Sequence, residues 1–211
     1  MSSLVTSNDY IMNLITSNNN FAFEKIRKDP NYFNNIYNTQ DPKVLWIGCS
    51  DSRTSPEVLT NSDLGSIFVL RNIGNSVILE DSDSKAVVQY AVEHLKIYDI
   101  MVVGHTACGA VKAALNFNET SGDIASWVKP IRDVYLENAC IIDELETEEE
   151  RVTELSKLNV KRVVDVINSL EFYRDASEHG KHINVNGFLL SLHTGLLENL
   201  HLNKTDFHDG N

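Results

Sequence analysis

Three short apolar runs set the terms on which this chain can fold: Val44 to Gly48, Ile67 to Leu70 and Ile100 to Val103. Each is largely β-branched and apolar on both faces, the pattern of central strands in a parallel sheet. Parallel neighbours need a crossover between them, and Ser84 to Ile97 offers one, with Ala86, Val87, Tyr90, Ala91, His94 and Leu95 on one helical face. The result is a βαβ unit.

The flanking segments are mostly helical. Tyr10, Ile11, Leu14 and Ile15 recur at helical spacing and predict an amphipathic N-terminal arm over residues 1–30, with a helix-ending loop at Asn18-Asn19-Asn20. AVKAALNF after Gly109 predicts a helix, and a longer one follows from Ile124 to Leu145 with Trp127, Val128, Ile131, Val134 and Tyr135 on its apolar side. The acidic block ELETEEERVTEL reads as a solvated helix start, continued by Val152, Leu155, Val163, Val164, Ile167 and Leu170 to near Tyr173. HINVNGFLLSLHTGLLENL alternates, which predicts a strand and hairpin at the sheet edge. The fold expected is α/β: a central, mainly parallel β-sheet flanked by helices, an N-terminal helical arm, and a helical C-terminal half with an edge strand. At 211 residues and 42% apolar content, one domain spanning 1–211 is the default.

Charge and composition exclude some functions. A formal net charge of −12 and no local Lys/Arg cluster argue against nucleic acid as a partner. No stretch reaches the roughly 20 apolar residues of a membrane span, and MSSLVTSNDY has no signal-peptide pattern, so a soluble, cytoplasmic protein without a membrane partner is expected. Three cysteines, an odd number, argue against a disulfide framework. Cys140, between helical apolar residues, reads as a small buried hydrophobe.

The other two cysteines sit where chemistry is built. In open parallel sheets, sites form beyond the carboxyl ends of strands. The first run ends in Cys49-Ser50-Asp51-Ser52-Arg53 and the third in Gly104-His105-Thr106-Ala107-Cys108-Gly109. Adjacent strands would bring Cys49, His105 and Cys108 together as a Cys₂His set. That set is one of the three-ligand arrangements of catalytic zinc, with the fourth tetrahedral position open. Asp51 could take that position or accept a hydrogen bond from a water there, and Arg53 is the natural bidentate partner to draw it off the metal.

At these residues the sequence resembles the β-class carbonic anhydrases: CSDSR at 49–53, RNIGN at 71–75 and GHTACGA at 104–110 stand in the family's order. The resemblance implies one zinc ion per subunit on Cys49, His105 and Cys108, with Asp51 and Arg53 as the dyad governing the fourth position. It implies reversible hydration of carbon dioxide to bicarbonate and a proton, by attack of a zinc-bound hydroxide that the dyad orients. Matching positions for the family's substrate pocket are Gln40, Phe68, Ile73, Tyr90 and Gly109. The family also implies a homodimer or higher homo-oligomer, with the arm at the subunit interface. Of a second bicarbonate site known in some members, Trp46, Gly48 and Arg71 match, while Leu190 replaces its tyrosine. Other readings of the same residues are a structural zinc in an interaction module, for which a fourth Cys/His ligand is wanting, and hydrolysis of carbonyl sulfide or carbon disulfide at the same centre. Histidines 94, 179, 182, 193, 201 and 208 are proton-transfer candidates by residue type alone.

Overall fold

A computed structural model describes residues 7–178 and 180–202. His179 and His208 lie outside the described residues. The chain divides into two compact units, one ending at Gln40 and the other beginning at Asp41.

The first unit holds α1 (Ser7–Lys28) and α2 (Tyr32–Tyr37). α1 runs unbroken through Asn18-Asn19-Asn20, where a loop is expected from the sequence. An asparagine in a helix interior is disfavoured by only some tenths of a kcal/mol, at most about 0.7, too little to end a helix whose apolar spacing resumes at Phe21 and Phe23. Within this unit the Lys25 ammonium lies 4.6 Å from the centre of the Tyr32 ring.

The second unit is built on a five-stranded sheet. Its elements are β1 (Val44–Cys49), α3 (Pro56–Thr60), β2 (Ile67–Asn72), α4 (Ser82–Gln89), β3 (Asp99–His105), α5 (Gly109–Leu115), α6 (Gly122–Glu137), α7 (Ala139–Ile142), α8 (Glu148–Ser169), α9 (Glu171–Glu178), β4 (Asn184–Leu190) and β5 (Leu197–Asn199). The strand order is β2-β1-β3-β4-β5. The first four strands are parallel, and β5 closes the edge antiparallel to β4, as the alternating C-terminal segment predicts. Both faces of the sheet are covered, which is why its strands read as continuous apolar runs. Leu45, Ile47, Ile100, Val102 and Val185 pack on one face against Val160, Val163, Val164 and Ile167 of α8. Trp46, Val103 and Leu190 are buried on the other.

Several helices differ from their expected course. The crossover α4 ends in a π turn over Tyr90–His94, closed by Leu95 N–H donating to Tyr90 O at 3.1 Å. The extra residue shifts the buried face to Ser84, Val88, Ala91 and Val92, leaving Ala86, Tyr90 and His94 exposed. The single helix expected over 124–145 is two, α6 and α7, broken at Asn138, whose backbone leaves the helical region (φ −120°, ψ 15°) and whose side-chain amide donates to Val134 O. Cys140 is exposed, contrary to the expectation of a buried hydrophobe, because the one-turn α7 buries Ile142 instead. α8 starts where the acidic block predicts: Thr147 accepts from Glu150 N–H while Glu150 accepts from Thr147 N–H, a reciprocal cap. It stops at Leu170, which is extended, so the helix expected to run to Tyr173 is divided into α8 and α9.

Candidate metal centre

The strand order reverses around β1, which has β2 on one side and β3 on the other. Crevices form at such a point, beyond the carboxyl ends of the strands. Gly48 pairs with Val103, so Cys49 and His105 leave adjacent strands at nearly the same level.

After Cys49 the chain is held tightly. Ser50 N–H donates to Asn72 O at 2.9 Å, and Thr54 Oγ1 donates to Cys49 O at 3.1 Å and Asp51 O at 2.9 Å. Arg71, at the end of β2, reaches across with Nε donating to Cys49 O at 2.8 Å and an Nη donating to Asp51 O at 2.6 Å. One guanidinium thus fixes the two carbonyls that flank Ser50. On the neighbouring strand, Thr106 N–H donates to Leu190 O at 3.0 Å and Thr106 Oγ1 accepts from Leu192 N–H at 3.0 Å. Ala107 then adopts φ 55°, a tight turn that brings Cys108 back at the start of α5.

Cys49, His105 and Cys108 converge. They are 5%, 1% and 1% exposed, and their ligating atoms all lie within 4.8 Å of one another. A tetrahedral zinc with ordinary Zn–S and Zn–N bonds needs donor atoms about 3.5–3.8 Å apart, so small side-chain adjustments suffice. Among the described residues this is the one such cluster of three. His105 Nδ1 lies 2.9 Å from Thr106 O. A proton on Nδ1 satisfies that carbonyl and leaves the Nε2 lone pair, which is buried with no hydrogen-bond partner. An orphaned buried acceptor is expensive unless something fills its coordination, and a metal ion does so. The two sulfurs are linked in turn: the Cys108 thiol donates to Cys49, lowering the Cys49 pKa and, with burial, raising that of Cys108. A sulfur already disposed to be a thiolate lowers the proton-release cost of metal binding. Two thiolates and an imidazole form a soft set that fits zinc.

Asp51 stands outside the cluster, its carboxylate taken up by Arg53. Nε donates to Oδ1 at 2.9 Å, an Nη donates to Oδ2 at 2.7 Å, and the Arg53 backbone N–H donates to Oδ1 at 2.9 Å. These bonds hold the Asp51 carboxyl well below the usual carboxylate range.

The expected pocket residues lie as follows. Phe68 stacks on Tyr90 with ring centres 5.9 Å apart, and Tyr90 on His94 at 5.0 Å, so His94, packed in the sequence reading, is an exposed member of an aromatic stack. Ile73 is 49% exposed. Gly109 is exposed, and a Cβ there would meet no atom within 4 Å, leaving open space beside Cys108. Gln40 is exposed at the end of the first unit. Of the second-site residues, Arg71 is committed to the Cys49 and Asp51 carbonyls, and Leu190 is fully buried.

Four residues that support the centre carry no sequence motif for that role. Arg71 clamps the loop after β1. Trp127, expected only as part of an apolar helix side, donates Nε1–H to Ile73 O at 2.7 Å. Asn159 donates to Gly74 O at 3.0 Å. Arg162 is largely buried and donates to Asn159 Oδ1, Val77 O and Ser76 Oγ. An arginine in an otherwise apolar strand end or helix face is the one signal that could have pointed to such clamps, since a buried guanidinium must find acceptors.

An α/β scaffold with three residues at its switch point that could hold a soft metal suits a metalloenzyme, and comparison with known proteins narrows the class. The carbonic anhydrase family model matches residues 44–197. A carbonic anhydrase of Emericella nidulans is 38% identical over 190 residues, covering 90% of this chain and 82% of the relative. Among solved structures, tetrameric β-carbonic anhydrases from Sordaria macrospora superpose with a TM-score of 0.88 at 34% identity, covering 92% of this chain and 98% of theirs. A Coccomyxa β-carbonic anhydrase in complex with acetazolamide superposes at 0.84 and 35% identity, covering 89% of this chain and 84% of its own. The chain belongs to the carbonic anhydrase family, in its β class, and is an enzyme of that kind.

Proposed function

We propose that the enzyme hydrates carbon dioxide reversibly to bicarbonate and a proton, with one zinc ion per subunit held by Cys49, His105 and Cys108. The observation that carries this reading is the lone buried Nε2 of His105 facing two cysteines, a set of three donors with no fourth Cys/His ligand among the described residues. Three protein ligands leave a coordination position for chemistry, unlike a closed structural site. Zinc, when bound, supplies the Lewis acidity that makes a water acidic near neutral pH.

The chain's own residues supply the rest. Asp51, kept ionised by Arg53, accepts a hydrogen bond from the nucleophile on a carboxylate lone pair that Arg53 leaves free and so aims it at the substrate carbon. If Arg53 releases it, the same carboxylate is free to enter the fourth position, so Arg53 keeps the site open. Phe68, Ile73 and Tyr90 give a small neutral gas an apolar approach, and Gly109 leaves room beside the metal. The enzyme works as a homo-oligomer in the cytoplasm, where thiol ligands stay reduced. Assembly is supported by the tetrameric Sordaria relatives and by exposed apolar residues on α1, including Tyr10, Ile11, Leu14 and Phe23.

Stopped-flow hydration of carbon dioxide by the zinc-loaded protein and its Asp51→Asn variant tests this. The parent should be fast and the variant slow at equal zinc content. A parent without hydration activity at full zinc, or a variant as fast as the parent, would refute the corresponding half of the reading.

A further inference from the structure

Cys49 ends β1 and Asp51 follows it by two residues, so the directions of the two side chains are set by the peptides on either side of Ser50. Those peptides are held from the neighbouring strand. The one between Cys49 and Ser50 is gripped at both ends by consecutive residues of β2: Arg71 Nε donates to Cys49 O at 2.8 Å, and Ser50 N–H donates to Asn72 O at 2.9 Å. The one after Asp51 is held at its carbonyl oxygen, which accepts from an Arg71 Nη at 2.6 Å, from Thr54 N–H at 3.1 Å and from Thr54 Oγ1 at 2.9 Å. Thr54 Oγ1 also accepts from the same Arg71 Nη at 3.4 Å, which turns the hydroxyl hydrogen toward the carbonyls.

Two features set Arg71 apart from an ordinary half-buried arginine. First, it forms no ion pair with a carboxylate among the described residues, and its donors go to the main chain of this one loop. Second, Nε and Nη lie in one rigid plane, so the two carbonyl oxygens they bind are kept at a fixed spacing and orientation. Each carbonyl marks the backbone rotation on its side of Ser50. With both set, the Cα–Cβ bonds of Cys49 and Asp51 are set relative to each other.

We infer that Arg71 is a positioning residue of the hydration reaction: by holding the Cys49 and Asp51 carbonyls at once, it fixes the ligand sulfur and the orienting carboxylate relative to each other. The inference rests on the reading of Cys49 as a metal ligand and of Asp51 as the acceptor that aims the nucleophile. An acceptor of that kind works only in place, since a misplacement of about 1 Å can cost about 100-fold in rate. The Arg71 side chain itself bonds backbone alone, so its effect on the chemistry passes through Asp51 and Cys49.

The test makes Arg71→Ala in the parent and again in an Asp51→Asn background, each assayed at equal zinc content and well below its melting temperature. Because Arg71 acts through Asp51, kcat should fall about 10–100-fold in the parent background and less than about twofold where Asp51 is already Asn. An equal fold-loss in both backgrounds would overturn the inference by assigning Arg71 to general packing, and so would a parental kcat in the single variant. A readout without turnover covers Cys49. Zinc affinity by chelator competition should fall about tenfold in Arg71→Ala. It should return with millimolar guanidinium, which refills the slot with the same planar fork, and not with methylammonium, which carries the charge alone. Recovery by both cations or by neither, or parental affinity, would overturn the fixed-geometry role. Arg71→Lys, which keeps the charge, guards against a folding defect: it should lose kcat in the same background-dependent way while melting closer to the parent, and parental kcat in it would overturn the inference. A parent that binds zinc and hydrates no carbon dioxide would instead refute the proposed reaction, and one that binds no zinc the metal reading, so these failures are distinguishable.

Discussion

Arg71→Leu removes the guanidinium that fastens the loop after β1, and its effect can be sized from the bonds lost. Arg71 makes two short charge-assisted hydrogen bonds, to Cys49 O at 2.8 Å and Asp51 O at 2.6 Å. Hydrogen bonds to charged groups contribute about 1.5–3 kcal/mol each, which puts the pair at about 3–6 kcal/mol. Neither carbonyl is orphaned by the change, since Thr54 Oγ1 bonds both and Thr54 N–H bonds Asp51 O. The low end, about 3 kcal/mol, is therefore expected. For a chain of this size each kcal/mol moves the melting temperature by about 2–4 °C, so Arg71→Leu should melt about 6–12 °C below the parent. Arg71→Lys keeps the charge but cannot span both carbonyls, and should lose about half as much. Scanning calorimetry at fixed protein concentration and full zinc loading keeps oligomer and metal linkage constant. A leucine variant melting within about 2 °C of the parent would refute the clamp, because no other role of Arg71 predicts so small a change after loss of both bonds.

Arg53→Ala should retain one zinc per subunit while hydration falls about 10–100-fold, as for loss of an outer partner of a metal site; full activity at equal zinc would dismiss its role in keeping Asp51 off the metal. Arg53 lowers the Asp51 pKa, so the pair's contribution to stability is complete above the unfolded-chain value of about 3.9 and is lost as pH falls through the lower folded value. Urea midpoints of the metal-free parent and Asp51→Asn should thus differ by a constant amount above about pH 5 and converge below about pH 4, and a gap that changes between about pH 6 and 8 would contradict the assignment. Gly104→Ala would place a Cβ 2.7 Å from Val160 Cγ2 and 3.4 Å from Ser156 O. Such overpacking should destabilise by about 1–3 kcal/mol, partly recovered by adding Val160→Ala; an undiminished melting temperature in the single variant would count against the close approach of α8 to β3.

The parallel core was legible because burial on both faces writes itself as unbroken β-branched runs, as at Val44 to Gly48. The three ligand candidates were legible for a related reason: Cys49 and His105 are the last residues of their strands, and Cys108 follows three residues later at the start of α5, where the chain has left the sheet. What failed were local decisions that tertiary packing overrides. The asparagine run at 18–20 stays helical, while Asn138 and Leu170 interrupt segments whose periodicity looked continuous. The π turn at Tyr90–His94 shifted a helix face by about one residue, which periodicity at 3.6 cannot anticipate. The clamps were illegible for want of a local pattern. Arg71 acts 22 residues from Cys49, Trp127 acts 54 residues from Ile73, and Asn159 acts 85 residues from Gly74. Each looks like a strand or helix residue until the fold brings its acceptor beside it.

Zinc K-edge X-ray absorption on the stoichiometrically loaded protein tests the centre most directly. Four-coordinate zinc with two sulfurs at about 2.3 Å and two nitrogen or oxygen atoms at about 2.0–2.2 Å is the predicted result, matching Cys49, Cys108, His105 and one further light atom. A shell without sulfur, or with three or more sulfurs, would contradict the assignment of these residues as the metal centre.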